Sequence, residues 1–141
     1  MAARAVTEGD LAAWLIKCDP RVNPALLATG ALTSRCVVRG YRASMMKRGD
    51  QVVLWVSGDG RVRDRGIWGL GRLTGEVEET GDGPAVPLDL PVFGAALTDA
   101  ELRAAGVDDL EVQRVPAGSN PSWVSRQQWD RIRPLLAGRD R

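Results

Sequence analysis

Two tryptophans, Trp55 and Trp68, border a loop from Gly58 to Gly66 that carries Arg61, Arg63 and Arg65. Indole rings beside cations and backbone-exposing glycines are the residue types that stack on a planar base and hold its phosphates. Trp14 lies on an apolar run beside a predicted core strand and is a third candidate, as the floor. Ser119-Asn120-Pro121-Ser122 offers an amide and hydroxyls able to read a base edge. Acid–base and nucleophilic chemistry has much thinner support. The chain has no histidine and two cysteines, Cys18 and Cys36, which excludes Ser-His-Asp triads, Cys-His dyads and four-thiolate zinc sites. Asp108-Asp109 have no identifiable partner base. Gly69-Leu70-Gly71 lacks the third spaced glycine of a dinucleotide fingerprint, and there is no phosphate-binding P-loop. No metal and no cofactor is expected.

The charge is arranged to meet an anion although the net formal charge is only +1. Arg35, Arg39, Arg42, Lys47 and Arg48 follow one another with no intervening acid. Glu76 to Glu111 is acidic apart from Arg103, and the stretch from Arg126 onward is again basic. Lys17 and Lys47 are the only lysines among 19 cations; the rest are arginines, suited to bidentate phosphate contacts. Segregation of this kind can give one face a positive potential whatever the total.

The elements that must carry these residues follow from pattern. The 141 residues make about one domain, divided into an N-terminal extension (1–12), a domain (13–136) and a tail (137–141). Ala13–Cys18 is an apolar run expected as a buried first strand. Asn23-Pro24 opens a helix, with Val22 and Leu27 as staple and Gly30 as its end. Cys36–Arg39 is expected as a second strand, Tyr41–Met46 as a helical turn and Gln51–Ser57 as a third strand. Ile67–Val77 follows as a Gly-rich strand whose glycines admit another backbone. Glu78–Pro84 is an acidic turn, Val86–Phe93 a Pro-interrupted edge strand and Glu111–Val115 a further strand. Thr98 with Glu101, and Ser125 with Gln128, are capping boxes; the first helix should stop at Gly106 and the second should kink or end at Pro134. Both cysteines are expected to be buried. Short links make the sheet antiparallel or mixed, and a small β-barrel decorated with short helices hides its edges.

The order of motifs resembles the EVE domain, a member of the PUA-like superfamily that includes the ASCH and YTH domains. Trp14-Leu15-Ile16-Lys17 is similar to the family's first strand, and Val38-Arg39-Gly40-Tyr41-Arg42-Ala43 to its V-R-N-Y-Q-A loop. Lys47 to Ser57 resembles the turn and strand that end in aromatic-His-Ser, Gly66 to Gly71 the G-I-x-G strand, and Trp129 with Ile132 the closing helix. Gly40 and Val56 depart from the Asn and His usual there. The resemblance implies an α+β, PUA-like fold and a non-enzymatic nucleic-acid reader, with DNA carrying a methylated or hydroxymethylated cytosine favoured over RNA. Trp55 and Trp68 would wall the base, Trp14 would floor it, and Lys17, Tyr41, Ser57 and Asn120 would contact its polar edge. Arg39, Arg42 and Arg65 would bind phosphate. An RNA-binding or small planar-ligand-binding module is the alternative. A cytoplasmic location, no membrane and a separate effector protein are further expectations.

Overall fold

A computed structural model describes residues 5–21, 28, 30–58, 60–137 and 139. Seven strands lie in the order β2-β6-β4-β3-β1-β7, with β5 against β6. They are β1 (Leu11–Cys18), β2 (Ala31–Cys36), β3 (Gln51–Val56), β4 (Gly66–Leu73), β5 (Glu78–Thr80), β6 (Gly83–Thr98) and β7 (Ser122–Ser125). Four described helices accompany them: α1 (Tyr41–Met45), α2 (Asp99–Ala104), α3 (Glu111–Arg114) and α4 (Arg126–Leu136). The helix expected from Asn23-Pro24 lies outside the described residues. The sheet is mixed, because β1 and β3 run parallel while the other pairs are antiparallel.

The central strands are apolar along their whole length because they are buried on both faces. Trp14, Ile16, Val52, Leu54 and Val56 point to one side, into a cluster with Leu32, Val86, Leu88 and Leu90. Leu15, Val53 and Trp55 point to the other, where Leu102, Val112, Trp129 and Ile132 of α2, α3 and α4 cover them. The period of two in side-chain direction thus divides one apolar run between two cores.

The strand ladder is open rather than a closed barrel, with β2 and β7 as its ends. Two links other than a ladder tie the β2 end to the β1–β7 side of the sheet. Val38 N donates to the Asn120 carbonyl at 2.9 Å, and Arg35 Nη2 donates to the Lys17 carbonyl at 3.1 Å.

Several elements differ from expectation. The second strand is Ala31–Cys36 instead of Cys36–Arg39. Val37 and Val38 leave the ladder and donate to Pro84 and Asn120. Glu78–Pro84 is a hairpin, with Thr80 opposite Gly83. The Pro-interrupted segment is part of the 16-residue β6, which pairs with β2, β4 and β5 and is no edge. Its prolines are accommodated by a register shift opposite β2 and by carbonyls that still accept, Pro87 from Thr74 N at 3.0 Å. Glu111–Arg114 is a helix because the Gln113 side chain accepts from Leu110 N at 2.9 Å and closes a turn. Pro134 lies within α4, which continues to Leu136; in the last turn, on the exposed side, only one carbonyl loses its partner. Cys18 is buried, but Cys36 is exposed. Val6, assigned to the extension, is buried in the first core.

Both capping boxes form. Glu101 N donates to Thr98 Oγ1 at 3.1 Å and Gln128 N to Ser125 Oγ at 3.2 Å, with both reciprocal bonds present. The expected close approach at the β4 glycines is also present: a Cβ at Gly71 would stand 1.9 Å from the Asp89 carbonyl oxygen.

Candidate nucleic-acid interface

Parallel pairing brings the C-terminal ends of β1 and β3 to one edge of the sheet, where Ser57 N donates to the Cys18 carbonyl at 2.9 Å. β7 runs antiparallel to β1 with Leu15 opposite Ser122. Continuing that register places Asn120 opposite Lys17. There a side chain takes over from the backbone ladder. Lys17 N donates to Asn120 Oδ1 at 2.8 Å, and Asn120 Nδ2 donates to the Lys17 carbonyl at 3.2 Å. The Asn120 carbonyl accepts from Val38, so this one residue ties the first strand to the segment after β2. One lone pair on Oδ1 and one N–H on Nδ2 remain.

A groove opens over this edge. One part, about 540 Å³, is lined by Lys17, Cys18, Arg35, Ser57, Ser119 and Asn120. A second part, about 240 Å³, shares Val38, Gly118, Ser119 and Asn120 with the first and adds Arg39, Tyr41, Arg42 and Glu111.

Lys17 is 8% exposed, yet no hydrogen bond or ion pair joins its ammonium to another described residue. Its Nζ is 3.5 Å from where a Cβ on Gly118 would be, which sets it under the loop that forms the groove wall. Burial pulls the Lys17 amine below its ordinary pKa, and the Glu111 charge opposes this in part. A partly desolvated donor at the groove wall is available to a ligand acceptor.

Glu111 is engaged elsewhere. Arg42 grips it bidentately at 2.7 and 2.8 Å, the Ser122 hydroxyl donates to it at 2.9 Å, and Arg42 Nη1 also donates to the Pro121 carbonyl at 3.1 Å. Burial pushes the Glu111 carboxyl up, but Arg42 and Ser122 outweigh it and hold the group below its usual value. Arg42 is raised in turn, chiefly by that carboxylate. This pair fixes α1, α3 and the entry to β7 around the groove. Tyr41, 53% exposed on the rim, is the aromatic ring the groove presents, and its hydroxyl accepts from Val6 N at 3.0 Å.

The sequence-derived residues therefore separate into two sets. Lys17, Tyr41, Ser57 and Asn120 meet at the groove, with Arg39 and Arg42 at its mouth. Arg39 is exposed and forms a two-armed pair with Glu79, whereas Arg42 is held by Glu111 and so is a strut rather than a free phosphate contact. Trp14 is fully buried, with its Nε1 donating to Asp50 at 3.0 Å, and floors no cavity. Trp55 and Trp68 belong to opposite cores and cannot sandwich a base. Trp68 Nε1 donates to the Asp64 carbonyl at 2.7 Å, and the Arg63 guanidinium lies 5.2 Å from its ring centre. Trp55 touches a third cavity, with Arg65. Val38, Gly118 and Glu111 were not singled out; the only sequence signal was their nearness to Tyr41, Asn120 and the loop between them.

Among the described residues no helix is long and apolar enough to cross a membrane, and no cluster of ligating side chains could hold a metal ion. No protein-family model and no curated protein matches the chain. Solved structures do. Rpa0253 from Rhodopseudomonas palustris, an NMR structure, is 21% identical at a TM-score of 0.61, covering 85% of this chain and 89% of that one. PSPTO5229 from Pseudomonas syringae is 19% identical at 0.56, covering 88% and 99%. Human THYN1, crystallised in complex with 5-methylcytosine-containing DNA, is 16% identical at 0.53, covering 88% and 96%. The fold is EVE-like. It is the α+β, PUA-like architecture that the motif order implied, and at these identities the likeness speaks of fold alone.

Proposed function

We propose that the protein is a non-enzymatic nucleic-acid reader that takes one base, carrying a modification, into the groove between the end of β1 and residues 115–121. The observation that carries this is Lys17: a largely buried side chain whose ammonium bonds no other described residue and lines a groove that also offers Ser57 and the residual donor and acceptor of Asn120. An acceptor-bearing base edge supplies the bond Lys17 lacks. Tyr41 gives a stacking face at the rim, and Arg39 can exchange Glu79 for a phosphate. DNA with a methylated or hydroxymethylated cytosine is the favoured ligand, supported by the shared fold with a protein solved on 5-methylcytosine-containing DNA. Extruding a base from a duplex costs a few kcal/mol, which stacking and edge hydrogen bonds must exceed.

The test is fluorescence anisotropy of labelled oligonucleotides, DNA and RNA, single and double stranded, plain or with one methylated or hydroxymethylated cytosine or methylated adenine. Modification-dependent DNA binding that weakens with salt is the expected result. Binding that requires the 2′-hydroxyl would assign an RNA module instead. A flat response across the panel with folded protein would overturn the reader, and saturable binding of a free nucleobase with little salt dependence would assign a small-ligand site.

A further inference from the structure

The groove does not end at Ser57. Asp19, Ser57 and Pro116 also line a cavity of about 440 Å³ whose remaining walls include Trp55, Arg65, Asp99, Arg103 and Gln113. Asp99, the first residue of α2, is 6% exposed and organises this end. Its Oδ2 accepts from Arg65 Nη2 at 3.1 Å and from Arg103 Nε at 3.0 Å. Its Oδ1 accepts from Gln113 Nε2 at 2.9 Å, and the same amide nitrogen donates to the Val107 carbonyl at 2.9 Å. Asp99 N donates to the Arg65 carbonyl at 2.8 Å, which fixes the loop end to the helix start.

One carboxylate needs one cation to neutralise it. Here it has two, and both arginine side chains are about half exposed and line the cavity. The cluster carries a surplus positive charge. Arg103 spends only Nε on Asp99 and keeps its two terminal nitrogens; Arg65 spends one terminal nitrogen and keeps the other with Nε. Preorganised N–H forks with unused donors match the oxygens of a phosphate.

We propose that Arg65 and Arg103, aimed by Asp99 and Gln113, clamp a backbone phosphate of the nucleic acid whose base occupies the adjoining groove. The clamp rests on the reader assignment. It adds Arg103 as a phosphate ligand and Asp99 and Gln113 as positioning residues. Because phosphate carries no sequence information, it sets register and affinity without reading the modification.

The experiment measures the affinity of the preferred oligonucleotide from 50 to 200 mM salt for the wild type, Arg103→Gln, Arg65→Gln, the double variant and Arg72→Gln. Arg72 is on β4 six residues beyond Gly66, so roughly 20 Å from the clamp at 3.3 Å per residue. Loss of one phosphate contact lowers the slope of log K against log salt by about 0.9, so that Arg103→Gln loses roughly 3–4-fold less affinity than the wild type across that range. The double variant should lose no more slope than one contact, since both arginines serve one phosphate. The ratio of modified to plain affinity should not change. A wild-type slope in Arg103→Gln, at unchanged thermal stability, overturns the clamp while leaving the reader standing. An equal loss in Arg72→Gln also overturns it, as general electrostatics. If the wild type binds no oligonucleotide, the reader and the clamp fall together.

Discussion

Lys17→Met separates what the fold requires of this position from what the groove requires. The side chains have similar length, and the ladder through Asn120 uses only the Lys17 backbone, so it survives the change. The wild-type ammonium is partly desolvated, and the nearby Glu111 carboxylate is already satisfied by Arg42 and Ser122. Replacing a half-buried, solvent-screened charge with a thioether should stabilise the protein by roughly 0.5–1 kcal/mol. At about 4 °C per kcal/mol for a chain of this size, Tm rises by roughly 2–4 °C. The pH dependence has a definite sign. Lys17 has a folded pKa below its ordinary 10.5, so the unfolded chain binds the proton more tightly and the penalty is full below the folded value. It fades as pH rises to 10.5, and the advantage of Met must shrink with it. Ligand binding should move the opposite way. A hydrogen bond to a charged donor contributes about 1.5–3 kcal/mol, so affinity for the preferred oligonucleotide should fall roughly 10–100-fold. Thermal unfolding at pH 7 and pH 9.5 and anisotropy titration read the three effects. A variant less stable than the wild type, or one that binds equally well, refutes the reasoning.

Gly71→Ala should lose about 4 kcal/mol or more and leave little folded protein, judged by soluble yield and near-ultraviolet circular dichroism, because its Cβ would collide with the Asp89 carbonyl and the Leu90 Cα of β6. Glu111→Gln breaks a bidentate buried pair and should lower Tm by roughly 12 °C, from about 3 kcal/mol. Glu111 and Asp99 are both held below their ordinary pKa values of 4.5 and 3.8. Their contribution is therefore full above those values and is lost as pH falls through the lowered ones; wild-type Tm should decline below about pH 4.5, and less steeply in Glu111→Gln. Thr98→Ala removes the α2 cap and should cost about 1 kcal/mol, a Tm decrease of about 4 °C.

Much of the fold is written in local sequence. The runs at Ala13–Cys18 and Gln51–Ser57 and the two capping boxes are short-range signals, and short-range interactions decide them. The misplaced elements are those decided by distant partners. Cys36–Arg39 is a good strand by composition, but its continuation is captured by Asn120, more than eighty residues away. The β6 segment reads as an edge because of its prolines, yet register shifts let it take partners on both sides. At the candidate site, Lys17, Tyr41, Ser57 and Asn120 are marked by residue type together with the family resemblance, and the fold brings them to one groove. Glu111 is not marked, since nothing local distinguishes it from the other acids of its stretch until Arg42 is brought against it.

The tryptophans show how small the deciding feature can be. β3 and β4 pair antiparallel with Gln51 opposite Arg72, Val52 opposite Gly71, Val53 opposite Leu70 and Leu54 opposite Gly69. Continuing that register would set Trp55 opposite Trp68, and residues directly opposite share a face. The two indoles would then stand side by side beside the Arg-rich loop, as their spacing invites one to expect. The register shifts there instead, and Trp55 pairs with Ile67. Trp68 is the extra residue of a bulge, and a slip of one residue sends a side chain to the other face. Trp55 follows Val53 and Ile67 into the core under the helices, while Trp68 joins Leu54 and Trp14 in the other. The bulge also delivers Trp68 Nε1 to the Asp64 carbonyl, so the ring anchors the loop from within. Tyr41 on the rim is thereby the exposed ring beside the groove, and of the loop arginines Arg65 reaches Asp99 while Arg63 lies over Trp68.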